Sequence, residues 1–280
     1  MIPAAFDYQR PASVDEALRA ISGGDAKVLA GGQSLLPLLK MRLASADMLV
    51  DIGRLAELRG MHELPDGGYE VGALTTYADV IAETSLAWVA AAVEDIGDVQ
   101  VRNRGTVGGS IAHSDPASDL PAIGLALDYS AVLRSVRGER GVPLDGFFEG
   151  PFQTQAAPDE LLVAIRRGPI PAGAQGAYKK LAQPASGYSI VGVAAVIAST
   201  GGSISHARVA LTGVGDHPYR AKAVEAALLG SDGSPASVAA AAAQATDGQT
   251  VSGDIHADRD YRTHMAVVYT RRAIEAALGR

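Results

Sequence analysis

Residues 102–119 read RNRGTVGGSIAHSDPASD, and a second glycine motif, AGGQSLLP, occupies residues 30–37. Both lie where the apolar pattern of the chain changes. Glycine lets the main chain approach a ligand closely and turn with positive φ, so successive N–H groups can point at one phosphate. Either loop alone could be a tight turn between two elements. Together, with Asp115 and Asp119 following the second loop, they indicate a nucleotide cofactor held along its length.

Around the first loop the pattern predicts a small β–loop–α–β unit. Residues 27–30 and 48–52 are predicted strands, and residues 35–43 are a predicted helix. Pro37 falls in the first turn of that helix, where proline is tolerated. A phosphate at the loop would then lie beside a helix N-terminus, which favours negative charge.

The middle of the chain has the pattern of an antiparallel α+β unit. Residues 65–68 read PDGG between two short apolar runs, which predicts a hairpin. Thr76 is placed to cap a helix that runs through Glu83, and residues 161–166 form a predicted strand. Residues 169–176 are rich in proline and glycine and therefore indicate a boundary.

Beyond that boundary the sequence predicts a sheet followed by helices. Two apolar runs, residues 189–198 and 203–211, are joined by Gly201-Gly202 as in a hairpin, and three helical patterns follow at 219–229, 235–245 and 261–278. We therefore expect an N-terminal α/β subdomain at residues 1–57, a second α+β subdomain at 58–175 and a C-terminal α+β domain at 176–280.

Composition restricts the function classes. The chain has 280 residues, 24 basic and 31 acidic, for a net charge of −7, so nucleic acid is an unfavourable partner. It contains no cysteine, which excludes disulfides and any iron–sulfur cluster that this chain would bind through thiolates. Neither a run long enough to span a bilayer nor a signal-peptide pattern is present, so we expect a cytoplasmic protein without a membrane span. Motifs for a P-loop, an ordinary dinucleotide fold, a serine hydrolase and a zinc site are missing.

The order of the motifs resembles a known family. AGGQSL is followed by RNRGTVGGSIAHSDPASD and then by AYKKLA at residues 177–182. This arrangement resembles the FAD-binding medium subunit of the molybdenum hydroxylases, which include carbon monoxide dehydrogenase and xanthine dehydrogenase. The resemblance covers essentially the whole chain. It implies an α+β fold, in which a two-subdomain FAD-binding module of the PCMH type precedes a C-terminal domain of antiparallel sheet and helices.

The resemblance also implies which residues bind FAD. The first loop would wrap the pyrophosphate, the second would add the Thr106 hydroxyl, Asp119 would hydrogen-bond the cofactor, and Lys180 would lie near the flavin. Two apolar residues, Ile96 and Leu162, would pack near the ring. The complete expected set is Val28, Leu29, Ala30, Gly31, Gly32, Gln33, Ser34, Leu35, Ile96, Thr106, Val107, Gly108, Gly109, Ser110, Asp119, Leu162 and Lys180.

The function implied is that of an electron-transfer subunit of an oxidoreductase. A large partner would hold the molybdenum cofactor, a small partner would carry two [2Fe–2S] clusters, and the assembly would be a dimer of heterotrimers. The FAD of this chain would pass electrons to an external acceptor. Such a role needs neither a catalytic residue nor a metal on this chain, because the cofactor does the chemistry.

Two alternatives stay open. A self-contained FAD-dependent oxidase would need its own base, for which His113 is the residue to consider, and a flavin-free structural subunit would be favoured if the loops had lost their glycines or Thr106. The chain also departs from its relatives at Pro184, where many have an arginine. Without cysteine it cannot belong to the variant that carries an inserted iron–sulfur cluster in this subunit.

Overall fold

A computed structural model describes residues 2–24 and 26–280. The first part of the fold is a small sheet with two helices. Its elements are β1 (Asp7–Gln9), α1 (Val14–Ile21), β2 (Ala26–Leu29), α2 (Leu35–Met41) and β3 (Met48–Asp51). The strands are parallel in the order β1-β3-β2. The first glycine loop connects β2 to α2, so the predicted β–loop–α–β unit is present.

The middle part is an antiparallel sheet covered by short helices. Its strands are β4 (Met61–Glu63), β5 (Tyr69–Gly72), β6 (Ser130–Ser135), β7 (Gly138–Pro143) and β10 (Leu161–Arg167), with a separate hairpin of β8 (Phe148–Gly150) and β9 (Gln153–Thr154). The helices are α3 (Tyr77–Glu83), α4 (Ala87–Glu94), α5 (Val99–Arg102), α6 (Val107–His113) and α7 (Asp119–Ala126). The five strands have the order β4-β5-β10-β6-β7. Residues of both layers form one hydrophobic core.

The start of α3 fixes the backbone that leads into the second glycine loop. Thr76 Oγ1 accepts the N–H of Asp79 (3.2 Å), and the Asp79 carboxylate accepts the N–H of Thr76 (2.9 Å), which together form a capping box. Thr76 also pairs with Thr106 in an antiparallel bridge, and the N–H of Tyr77 donates to the carbonyl of Gly105 (3.0 Å). The cap of α3 and the start of α6 are thereby held side by side.

The C-terminal part is a second antiparallel sheet with three helices. Its elements are β11 (Gln175–Ala182), β12 (Ser189–Thr200), β13 (Ser203–Thr212), β14 (Tyr219–Arg220), α8 (Lys222–Leu228), α9 (Pro235–Ala242) and α10 (Arg259–Ala277). The strand order is β11-β12-β13-β14, and the 19-residue helix α10 contacts β11 and β12. Strand β12 is buried along its first ten residues, since α7 of the middle part also contacts it.

Four hydrogen bonds form a junction between the C-terminal sheet and residues 116–118, the segment that precedes Asp119. The N–H of Gly213 donates to the carbonyl of Pro116 (2.7 Å), and Thr212 Oγ1 donates to the carbonyls of Pro116 and Ser118 (both 2.8 Å). The N–H of Ser189, at the start of β12, donates to the carbonyl of Ala117 (3.4 Å). Residues 116–118 therefore take their position from strands that begin or end some 70 to 95 residues later in the chain.

The structure confirms the expected α+β fold with an antiparallel C-terminal sheet. One expectation was wrong: Tyr219–Arg220, included in a predicted helix, pairs with β13, and the helix begins at Lys222. The pattern also missed β1, α5, β11 and the β8–β9 hairpin. Within residues 2–24 and 26–280, no helix has both the length and the apolar character needed to cross a membrane.

Candidate functional site

The two glycine loops, 75 residues apart in sequence, lie against each other. A Cβ atom built on Gly31 would lie 2.0 Å from the carbonyl oxygen of Arg104, so only glycine permits this contact. A Cβ built on Gly109 would lie 4.0 Å from Cβ of Ala30, which is an ordinary contact distance. The Gln33 side-chain amide donates to the carbonyl of Gln100 (3.3 Å). The two loops therefore meet at one place in the fold.

The first loop presents free amide groups. Among the described residues, the N–H groups of Gly31, Gly32, Gln33 and Ser34 donate no hydrogen bond. The backbone turns at Gly32 with φ of +76°, a conformation that glycine adopts readily. Three of these four residues are half-buried. Consecutive unpaired N–H groups in a half-buried turn form a concave anion site, because an anion can satisfy donors that the protein leaves open.

The second loop differs, because its amides are used within the protein. The N–H groups of Val107, Gly108 and Ser110 donate to the backbone carbonyls of Thr75 (3.0 Å), Ala73 (2.8 Å) and Thr106 (3.0 Å), respectively. The N–H of Gly109 donates to Thr106 Oγ1 (3.2 Å). What this loop can offer a ligand is the bare surface of Gly109 and the hydroxyls at positions 106 and 110, in place of free amides.

The cap at Thr106 gives a first prediction. Replacing Thr106 with valine keeps the shape but removes the oxygen that accepts the Gly109 N–H, so we expect a loss of about 1 kcal/mol in the free energy of unfolding and a mild loss of bound FAD. Urea unfolding followed by far-UV circular dichroism measures the first effect, and the flavin-to-protein absorbance ratio measures the second. Thr106→Ser is the control and should behave as the parent. Equal stability of the two variants would contradict the capping role.

A buried acid lies next to this second loop. Asp119 is the first residue of α7, and its side chain is 5% exposed. Its Oδ1 accepts hydrogen bonds from the hydroxyls of Tyr178 and Ser189, the latter at 2.6 Å. Its Oδ2 accepts from the ammonium of Lys180 (3.0 Å). The acid therefore has a fixed orientation, set by three donors that all come from the C-terminal sheet.

The charge balance of this cluster is set by Lys180. Its side chain is 6% exposed, and its ammonium also donates to the carbonyl of Asp95 (3.1 Å). A buried ammonium and carboxylate in contact neutralise each other, which makes the burial of both tolerable. Burial and the neighbouring Asp119 carboxylate raise the pKa of Tyr178 well above its ordinary value, so this hydroxyl stays protonated and remains a donor.

The remaining expected residues lie around these two centres. Val28 and Leu29 belong to β2 and lead into the first loop, and Leu35 begins α2. Ile96 follows Asp95, whose carbonyl accepts from Lys180, and it is half-buried. Leu162 lies in β10 opposite Leu133, buried in the core of the middle part. Its placement near a flavin ring stays a prediction.

Sequence reasoning missed three aromatic or hydroxyl residues of the site. Tyr178 and Ser189 hold Asp119, as described. Tyr188, next to Ser189, is 47% exposed, and burial and the charges of Asp115 and Asp119 raise its pKa. The signal for Tyr178 was available in the sequence: in a strand, side chains two residues apart lie on the same face, so Tyr178 and Lys180 had to point the same way. Tyr188 and Ser189 offered no comparable signal.

The arrangement suits an extended ligand with a phosphate group. Unpaired amides lie at one end, and the buried Asp119–Lys180 pair lies at the other. The two ends are connected by the hydrogen bond between Ser110 Oγ and Ser118 Oγ (2.7 Å), which ties the second loop to the segment before α7. Within the part of the chain that the structure describes, no group of three or more His, Asp or Glu side chains is arranged to hold a metal ion.

Comparison with known proteins finds two family matches that together cover nearly the whole chain. Residues 4–171 match the family described as the FAD binding domain in molybdopterin dehydrogenase, and residues 176–277 match the CO dehydrogenase flavoprotein C-terminal domain. The glycine loops and Asp119 lie in the first match, whereas Tyr178, Lys180 and Ser189 lie in the second.

Individual relatives are similar over most or all of their length. The carbon monoxide dehydrogenase medium chain of Hydrogenophaga pseudoflava is 41% identical over 289 residues, covering 100% of this chain and 99% of the relative. The glyceraldehyde dehydrogenase medium chain of Sulfolobus acidocaldarius is 40% identical over 235 residues, covering 82% and 83%, respectively. The solved structure of the Hydrogenophaga pseudoflava carbon monoxide dehydrogenase that lacks the Mo-pyranopterin moiety superposes with a TM-score of 0.96 at 42% identity, covering 100% of this chain and 99% of that chain.

Proposed function

This chain belongs to the family of FAD-binding medium subunits of the molybdenum hydroxylases, and from that premise we propose that its FAD passes electrons from [2Fe–2S] clusters of a partner subunit to an external acceptor. The observation that carries the proposal is the convergence of the free amides of the first loop and the glycine surface of the second. Redox chemistry would come from the bound FAD, while the protein contributes position and electrostatics.

We assign the residues of the chain as follows. The N–H groups of residues 31–34 hold the pyrophosphate, because they are the free donors of the site. The hydroxyl of Thr106 and the surface of Gly109 complete the pyrophosphate site. Asp119 accepts a hydrogen bond from the cofactor at the other end, where Lys180 offsets its charge.

The assembly proposed is a cytoplasmic dimer of heterotrimers with a large molybdenum subunit and a small iron–sulfur subunit. This part rests on the family resemblance. The division of the chain into residues 1–57, 58–175 and 176–280 is supported by the three main sheets, which span residues 7–51, 61–167 and 175–220. The first two units each contain one of these sheets, and the third contains its sheet apart from Gln175, the first residue of β11.

The rival function, a self-contained flavin oxidase, would use His113 as its base. This residue ends α6, and burial lowers the pKa of its imidazole, which favours the neutral form that a base requires. Its ring contacts that of Phe152 at a tilt of 42°, with 5.0 Å between centroids. A positioned base also needs a group that orients its ring, and among the described residues no side chain hydrogen-bonds to the His113 imidazole.

Anaerobic stopped-flow spectroscopy tests the relay. The complex captured through a tag on this chain is mixed with carbon monoxide or glyceraldehyde, the compounds in the names of two relatives. If a substrate bleaches the flavin absorbance of the complex, we expect it to leave the flavin absorbance of the isolated chain unchanged, because the oxidising centre and the clusters lie on the partner subunits. Rapid bleaching of the lone chain would instead support the oxidase, and capture of the chain without partners would contradict the assembly.

A further inference from the structure

An apolar cavity lies between the five-stranded sheet and the helices that cover it. It has a volume of about 50 Å³ and is partly open to solvent. Its wall is built from side chains of β5, β10, α3, α4, α6 and α7, including Val71, Val80, Val89, Ile111, Ile123 and Ile165. The first glycine loop contributes no residue to this lining, whereas the second contributes Val107, the first residue of α6.

One cation, Arg167, lies at this cavity. Its guanidinium lies over the rings of Tyr69 and Tyr129, 5.2 and 5.8 Å from their centroids. Nη1 donates to the carbonyl of Gly168 (3.0 Å), whereas Nε is buried and has no hydrogen-bond partner among the described residues. No carboxylate in residues 2–24 and 26–280 forms an ion pair with Arg167.

The neighbouring arginine shows that this lack of a counter-charge is local. Arg166 points to the other face of β10, where its guanidinium pairs with Glu70 and, at 3.2 Å, with Glu139. The same strand therefore carries one neutralised guanidinium on its outer face and one without a carboxylate at the cavity. A buried donor without a partner costs free energy that a bound anion would recover.

We propose that the cavity is a binding site for a small monoanion with a short aliphatic tail, that is, a short-chain carboxylate. The carboxylate would accept hydrogen bonds from Arg167 between the two tyrosine rings, and the tail would enter the space lined by valine and isoleucine. The volume sets the tail length: a cavity of roughly 150 Å³ holds benzene. One-third of that space admits about two carbon atoms of a chain, with a third carbon at the open side of the cavity, and excludes an aromatic ring.

The alternatives are less consistent with the lining. A dianion would place a second charge against apolar side chains, where an unpaired charge is very unfavourable. A neutral hydrocarbon would fill the space but leave the guanidinium without a counter-charge. The short carboxylate is the class that satisfies both the apolar wall and the single cation.

Isothermal titration calorimetry of the full chain tests the site with sodium butanoate and with butan-1-ol, which has the same tail length but no charge. We expect butanoate to bind with 1:1 stoichiometry and about tenfold or more tighter than butan-1-ol, because a hydrogen bond to a charged group contributes at least that factor. Arg167→Met should weaken butanoate binding by a similar factor. Arg166→Met, which alters the outer face of the same strand, is the matched control and should bind as the parent does.

A second variant tests the tail independently. Val80→Ile with Val89→Ile adds two methylene groups to the wall and should abolish butanoate binding while Arg167 stays in place. Circular dichroism confirms that each variant is folded. The proposal is overturned if the parent chain binds no butanoate at a butanoate concentration of about 50 mM. That concentration is fifty times the dissociation constant of about 1 mM that is typical of a weak site. Equal affinity for butan-1-ol, or equal loss in both arginine variants, would also overturn it.

Discussion

The Gly31→Ala variant should retain less than about a tenth of the FAD that the parent chain holds. The added methyl group would lie 2.0 Å from the carbonyl oxygen of Arg104, so the first loop must move away from the second. The free N–H groups of residues 31–34 would move with it. Losing two hydrogen bonds to a charged phosphate, at about 1.5–3 kcal/mol each, lowers affinity by roughly a hundredfold or more.

Acid precipitation followed by chromatography of the supernatant measures the FAD released per chain. Gly23→Ala is the matched control, because a Cβ at Gly23 meets no atom within 4 Å and the residue has no positive φ. We expect this control to keep the FAD content of the parent. A Gly31→Ala chain that folds and still releases one FAD would show that the contact between the loops does not matter for the cofactor.

Removing the buried acid should produce the second large effect. In Asp119→Ala the ammonium of Lys180 stays buried and keeps only the carbonyl of Asp95 as a partner. The hydroxyls of Tyr178 and Ser189 lose their common acceptor. Breaking a buried ion pair by removing one partner costs about 3–5 kcal/mol, so we expect the free energy of unfolding to fall by that amount.

Urea unfolding of the FAD-free chain measures this loss without a contribution from the cofactor. Asp159→Ala is the control, because Asp159 pairs with an arginine that is 65% exposed, and solvent screens such a pair. We expect the midpoint of that variant to stay close to the parent value. In the double variant Asp119→Asn with Lys180→Met, part of the lost stability should return, since no unpaired charge remains. Equal midpoints for Asp119→Ala and Asp159→Ala would contradict the role given to the buried pair.

The sequence was sufficient for the elements whose signals are local. The capped helix at Thr76, the hairpin around residues 65–68 and the loop into α2 all follow from turn residues and periodicity. It was insufficient for β1, whose pairing with β3 depends on residues about 40 positions away. Arg220 was assigned to a helix for a related reason, because its pairing with Ala210 is a tertiary contact that overrides local propensity.

The site shows the same division. The glycines and Asp119 could be named because their motifs are contiguous. Ser189 could not, because a register shift between Leu181 and Ala182 sets which residue of β12 faces the acid. The free amides of the first loop and the used amides of the second also could not be distinguished, since both loops are rich in glycine. Two donors of the second loop are taken by carbonyls in the turn after β5, which is a tertiary contact, and the other two are taken by Thr106.

The junction at residues 116–118 has a consequence for biosynthesis. Both glycine loops emerge from the ribosome long before Ser189, Thr212 and Gly213 are made. Domains generally fold in the order of their synthesis, the N-terminal one first. Until those later residues emerge, the segment before Asp119 lacks its support and the acid lacks its three donors. The nascent chain therefore cannot complete the surroundings of Asp119 before Gly213 has been made. We therefore expect stable FAD binding only in chains whose synthesis has passed Gly213.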